Sequence, residues 1–105
     1  IENMAYFTPE ELPDNKYFIF GKEGAKHLAD DLNIPFLGEI PLVQSVREAG
    51  DLGRPAAMQT STPIEEAFNK ITQNVVQEVV RRNTALPPTD AIKITTMAGC
   101  SAVKK

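Results

Sequence analysis

Ile34-Pro35-Phe36-Leu37-Gly38-Glu39-Ile40-Pro41-Leu42 is short, apolar and punctuated by Pro and Gly. Such a run suits a buried strand over residues 34–40 better than a helix of that length. Upstream, Ala25, Leu28, Ala29 and Leu32 recur at the three-and-four spacing of a helix with one apolar face. That helix is entered through Gly21 and Gly24 and ended at Asn33. A helix followed by a buried strand is half of a βαβ unit, so the pattern predicts an α/β fold with short parallel strands and covering helices.

Working outward, residues 1–4 read as the tail of a strand, with Ala5-Tyr6-Phe7 leading into a loop. Pro9, Pro13, Asp14 and Asn15 make residues 8–16 a turn-rich loop, because Pro fixes φ and Asp and Asn bond their own backbone. Tyr17-Phe18-Ile19-Phe20 is an aromatic run expected to be buried. Downstream, Gln44 to Ala49 can form one or two helical turns before Gly50, Gly53 and Pro55 open a loop. Ser61 or Thr62 then supplies an N-cap, Pro63 a first-turn proline, and Glu65 and Glu66 complement the helix dipole.

From Pro63 to about Asn83, Ile64, Phe68, Ile71, Val75 and Val79 form an apolar stripe widened by Ala67, Val76 and Val80. It is broad enough to cover one face of a sheet. Arg81 and Arg82 suit the negative end of that helix as surface charges, and Pro87-Pro88 stops it. Residues 91–96 alternate as an edge strand would, or stay disordered. The domain reading is therefore one unit over residues 1–86 and a Pro-started tail over 87–105.

The 105 residues, 42% of them hydrophobic, suffice for one small core and no second domain. A net charge of -3 from scattered acids and bases gives no electrostatic footprint for nucleic acid. No apolar stretch approaches the roughly 18 residues of a membrane span, and no leader pattern opens the chain. A reducing cytoplasm is the default location. Cys100, the single cysteine, has no partner for a disulfide within the chain and reads as a plain thiol in a small-residue tail. The start at Ile1 reads as that of a piece excised from a larger polypeptide.

Glu2-Asn3-Met4, Phe20-Gly21 with Gly24, Gly38-Glu39-Ile40-Pro41-Leu42, Val46-Arg47-Glu48-Ala49-Gly50-Asp51 and Gly53-Arg54-Pro55 occur here in one order. Over residues 1–83 this pattern resembles the C-terminal third of P-loop ATPases of the Mrp/ApbC type, iron-sulfur cluster carriers related to MinD and the nitrogenase iron protein. The resemblance implies a partial P-loop, Rossmann-like three-layer fold with ATP at the carboxyl ends of the strands. It also implies that the Asn3 amide meets the adenine edge, being both donor and acceptor. Pro41 and Leu42 would pack near the purine, and Gln44 stands in for an acid that many relatives carry just after the Pro-Leu pair, where this chain has Val43.

Read from the residues alone, Asn3 is a strand-end turn asparagine, and Leu42 is as much a core residue as a pocket wall. Arg47, Glu48 and Asp51 read as solvated charges or a partner contact, and His27 as a solvated side chain.

For the intact parent the resemblance implies ATP, Mg2+ and an iron-sulfur cluster, a homodimer, delivery to apo iron-sulfur proteins, and neither nucleic acid nor membrane as partner. The piece alone is expected to bind none of these cofactors. Two departures matter. Many carriers place Cys-x-x-Cys between Phe7 and Ile19, where this chain reads Thr8-Pro9-Glu10-Glu11-Leu12-Pro13. The lysine-bearing phosphate loop is also absent, since Gly21-Lys22-Glu23-Gly24 lacks the Gly-Lys-Ser/Thr that must follow. The rival readings are a noncatalytic protein-interaction domain on the same scaffold and a MinD/ParA-like localisation ATPase.

Overall fold

A computed structural model describes residues 1–92. Strand β1 (Glu2–Phe7) leads through a loop to helix α1 (Gly24–Asp31), and strand β2 (Glu39–Leu42) runs directly into helix α2 (Gln44–Asp51). A 3-10 turn at Ala56–Met58 precedes the long helix α3 (Pro63–Ala85). β1 and β2 are parallel neighbours, with Glu2 against Glu39, Asn3 against Ile40 and Phe7 against Leu42. A parallel pair requires a crossover connection, and α1 lies within it. The α/β expectation holds.

The register explains one irregularity. Between the Asn3–Ile40 and Phe7–Leu42 pairs, Met4, Ala5 and Tyr6 stand against Pro41 alone. Proline has no N–H to donate, so the ladder cannot continue evenly past it, and β1 bulges with Met4 at φ 54.

Two strand boundaries differ from the sequence reading. β1 extends through Phe7, since the Phe7 N–H donates to the Tyr17 carbonyl at 2.8 Å and the Tyr17 N–H returns the bond at 2.8 Å. β2 begins only at Glu39. Residues 34–38 are a helix exit and an irregular connection: the Ile34 N–H bonds the Ala29 carbonyl at 2.9 Å, and Gly38 holds φ 143. Asn33 ends α1 as expected, adopting φ 52 and donating its N–H to the Asp30 carbonyl at 3.1 Å.

α3 forms for the reasons its sequence carries. The Thr62 hydroxyl accepts from the Glu65 N–H at 3.2 Å, Pro63 occupies the first turn, and the Glu65 carboxylate accepts from the Ser61 N–H at 2.6 Å. Ile64 and Ile71 are buried by the sheet, and the Asn74 amide donates to the Leu37 carbonyl at 2.8 Å, tying α3 to the approach of β2. With Ala5, Ala29 and Ala49 these isoleucines are the buried apolar residues among those described.

The apolar stripe of α3 does not stay covered. Val75, Val76, Val79 and Val80 are exposed. The cause is length: a 23-residue helix spans about 34 Å, whereas the four-residue β2 spans about 13 Å. The distal half of α3 overhangs the pair of strands. Leu28 and Leu32 of α1 are likewise exposed, and only Ala29 of that face is buried.

The expected burial of Tyr17-Phe18-Ile19-Phe20 is also corrected, since all four are exposed, from Phe18 at 40% to Phe20 at 68%. Two strands offer no further inner face to receive them. Phe18 meets the Tyr6 ring edge-on at 6.5 Å and the Lys22 ammonium at 5.2 Å. Cys100, and most of the alternating segment 91–96, lie outside the described residues.

Candidate functional site

The carboxyl ends of β1 and β2 open side by side, and the chain leaves them in opposite ways. From β1 it enters the loop of residues 8–16, closed at its base by the paired Phe7–Tyr17 bonds. Within that loop the Leu12 N–H bonds the Pro9 carbonyl at 3.1 Å and the Asn15 N–H bonds the Leu12 carbonyl at 3.0 Å. These are the turns that its prolines and Asp-Asn pair favour. From β2 the chain passes through extended Val43 directly into α2.

Between loop and strand end lies a cleft of about 420 Å3, lined by Tyr6, Thr8, Pro9, Glu10, Pro13 and Lys16 on one side. Pro41, Leu42, Val43, Ser45 and the start of α3 at Thr62, Pro63 and Ile64 form the other. Pro41 and Leu42 are half-buried, and Ile64 is 2% exposed. The lining is mostly apolar with a few polar groups, in the size range of small-molecule sites. The Lys16 ammonium stands 4.2 Å from the centroid of the Tyr6 ring, in cation–π contact.

Gln44 lines an adjoining cleft of about 500 Å3 with Glu11 and Glu48, which shares Thr8, Pro9, Glu10, Val43 and Ser45 with the first. Its amide donates to the Glu48 carboxylate at 2.6 Å. The structure therefore brings Pro41 and Leu42 together and sets Gln44 next door. Asn3 lines neither cleft. It is exposed, opposite Ile40 in the ladder, and its side-chain oxygen accepts from the Met4 N–H at 3.0 Å. Two further hollows, of about 520 and 610 Å3, lie against α3 and contain none of the four candidate residues.

Tyr6 and Lys16 escaped the sequence reading. Tyr6 belongs to the part of β1 read as loop, and nothing in the spacing of Lys16 says that its loop folds back over Pro41. Arg47 bonds Asp51 at 2.6 Å and approaches Glu48 at 3.6 Å, all three side chains at least half exposed. Their exposure leaves them at the surface, open to solvent or to a partner.

Among the described residues no group of three or more His, Cys, Asp or Glu side chains is set to hold a metal ion. Residues 1–92 contain no cysteine, so this part of the chain offers no thiolate to an iron-sulfur cluster. No helix among the described residues is long and apolar enough to cross a membrane.

Comparison with known proteins adds what the geometry leaves open. The family model described as ParA, NUBPL iron-transfer P-loop NTPase, matches residues 1–76. The chain is 38% identical over 80 residues to the iron-sulfur cluster carrier protein of Synechocystis sp., covering 75% of this chain and 23% of that protein. It is 38% identical over 79 residues to the carrier of Pyrococcus furiosus, covering 75% and 26%. With the iron-sulfur cluster transfer protein NUBPL of Mus musculus it shares 37% over 87 residues, covering 83% and 26%. The chain thus spans about a quarter of the length of the curated relatives it matches. Parallel strands with a cleft at their carboxyl ends, and a family match across most of the chain, lead to one assignment: the chain belongs to the NUBPL iron-transfer P-loop NTPase family.

Proposed function

We propose that this chain is the C-terminal portion of a cytoplasmic ATPase that carries iron-sulfur clusters to apoproteins, residues 1–86 supplying the adenine side of its nucleotide site. The observation that carries the proposal is the position of the Pro41–Leu42 cleft. In open α/β sheets, ligands bind outside the carboxyl ends of the strands, and this cleft lies at that end of both β1 and β2. Its apolar walls suit the face of a purine.

Pro41 and Leu42 form the wall, and Gln44 waits at the adjoining mouth with its amide engaged by Glu48. Asn3 is assigned to the base edge on family resemblance alone, since it lies beside Ile40 and outside the cleft. Phosphate and Mg2+ find no matching groups here: the sequence lacks a phosphate loop, and the described residues form no metal-holding group. Hydrolysis therefore belongs to the rest of the parent, and the piece alone is inactive. The cluster is cargo, and its thiolate ligands come from outside residues 1–92.

Delivery to apoproteins follows the printed names of the relatives, which are cluster carrier and transfer proteins. The exposed Tyr17–Phe20 run supports a protein contact, with homodimerisation the reading adopted. The nucleotide assignment is tested by calorimetric titration of the intact protein with ATP. Leu42→Ala is expected to weaken ATP about tenfold and Asn3→Ala several-fold; unchanged affinity in both variants refutes the adenine-side assignment.

A further inference from the structure

We infer that the loop of residues 8–16, with Tyr6 beneath it, is the second wall of the base cleft, and that Tyr6 and Lys16 contact the nucleobase. This rests on the nucleotide reading above and extends it to residues that neither the family match nor the sequence pattern assigns. The loop does not hang free. Mutual 2.8 Å bonds between Phe7 and Tyr17 clamp its base, two internal turns shape it, and Pro9, Pro13 and Lys16 reach the same cleft as Pro41 and Leu42.

Tyr6 is half-buried, its ring held edge-on by Phe18 at 6.5 Å and covered by the Lys16 ammonium at 4.2 Å. With its ring steadied by Phe18, Tyr6 can receive a planar base once the Lys16 ammonium moves from the ring face to the base edge. Lys16 contributes donors and no acceptor, which suits the unprotonated ring nitrogens of a purine. The loop that carries no sulfur is thereby given a different task, closing over the base opposite Pro41 and Leu42.

The test uses the intact protein, titrated with ATP and separately with inorganic tripolyphosphate, which has no base. Tyr6→Ala is expected to weaken ATP roughly tenfold, in keeping with a lost base–aromatic contact, and Lys16→Met several-fold through a lost charge-assisted hydrogen bond, both leaving tripolyphosphate unchanged. Tyr6→Phe keeps the ring and retains affinity. Circular dichroism of each variant verifies the fold, and Lys16→Met gives a second reading should Tyr6→Ala unfold. If Leu42→Ala weakens ATP while Tyr6→Ala and Lys16→Met bind it as the parent does, the loop's role is overturned and the nucleotide reading stands. If none of these three nor Asn3→Ala weakens ATP, both are overturned. Equal loss of ATP and tripolyphosphate overturns base contact in favour of a charge or folding effect.

Discussion

Replacing Gly38 by Ala drives a methyl group into the seam between β2 and α3. An ideal Cβ on Gly38 lies 2.8 Å from Cγ1 of Ile71 and 3.6 Å from its Cδ1. Carbon atoms in comfortable contact sit about 3.5–4.0 Å apart, so α3 must retreat by roughly 1 Å or Ile71 must leave its rotamer. Overpacking of this kind costs about 1–3 kcal/mol. Gly38 also holds φ 143, a conformation that side-chain-bearing residues avoid at a further cost of about 1–3 kcal/mol. Together these predict a loss of about 2–6 kcal/mol, a large part of the roughly 5–15 kcal/mol that holds a typical protein folded.

The loss is measured by urea denaturation of the intact protein, followed by far-UV circular dichroism. A double-mutant cycle separates its two causes. Ile71→Ala deletes the offending Cγ1 and is itself destabilising through the cavity it leaves. In that background Gly38→Ala retains only the backbone cost, so the double variant is more stable than additivity predicts by about 1–3 kcal/mol. A Gly38→Ala effect below about 1 kcal/mol, or strict additivity with Ile71→Ala, would refute the close approach of Ile71 to Gly38.

Thr62→Ala removes the α3 cap and is expected to cost about 1 kcal/mol by thermal denaturation, with Thr62→Asp recovering most of it. Asn74→Ala leaves the Leu37 carbonyl without its 2.8 Å donor, and about 1–2 kcal/mol should be lost; wild-type stability would show that the tether does not form. Glu2→Ala frees the Gly24 N–H that the Glu2 carboxylate accepts at 3.0 Å, and hydrogen exchange should report faster opening of α1 while α3 is unchanged. Arg47→Gln, by contrast, breaks an exposed pair and should shift stability by less than about 0.5 kcal/mol, a larger loss implying burial by a partner.

How much of this was legible in the sequence depends on whether the information was local. α3 was readable because Thr62, Pro63 and the apolar spacing act within one element, and the end of α1 because Asn33 tolerates a left-handed backbone. The strand boundaries were not, because Gly38 at φ 143 breaks extension inside a run that looks uniformly apolar, and Pro41 pushes the irregularity onto the neighbouring strand. Hydrophobicity misled at residues 17–20 and at the valines of α3, which are exposed, because it cannot say whether a covering surface exists among the described residues. Near the candidate cleft, the family pattern pointed to Pro41 and Leu42, which both line it. Tyr6 and Lys16 were not legible, since their meeting over the cleft depends on how a loop folds back, which no spacing encodes.

The reciprocal bonds between Phe7 and Tyr17 have an engineering consequence. They make everything strung between them an exchangeable cassette whose anchor points are backbone atoms, indifferent to the side chains it carries. A cysteine-bearing graft of matching length, spliced at those two anchors, would bring soft donor atoms to the carboxyl ends of the strands without disturbing the Asn3–Ile40 pairing.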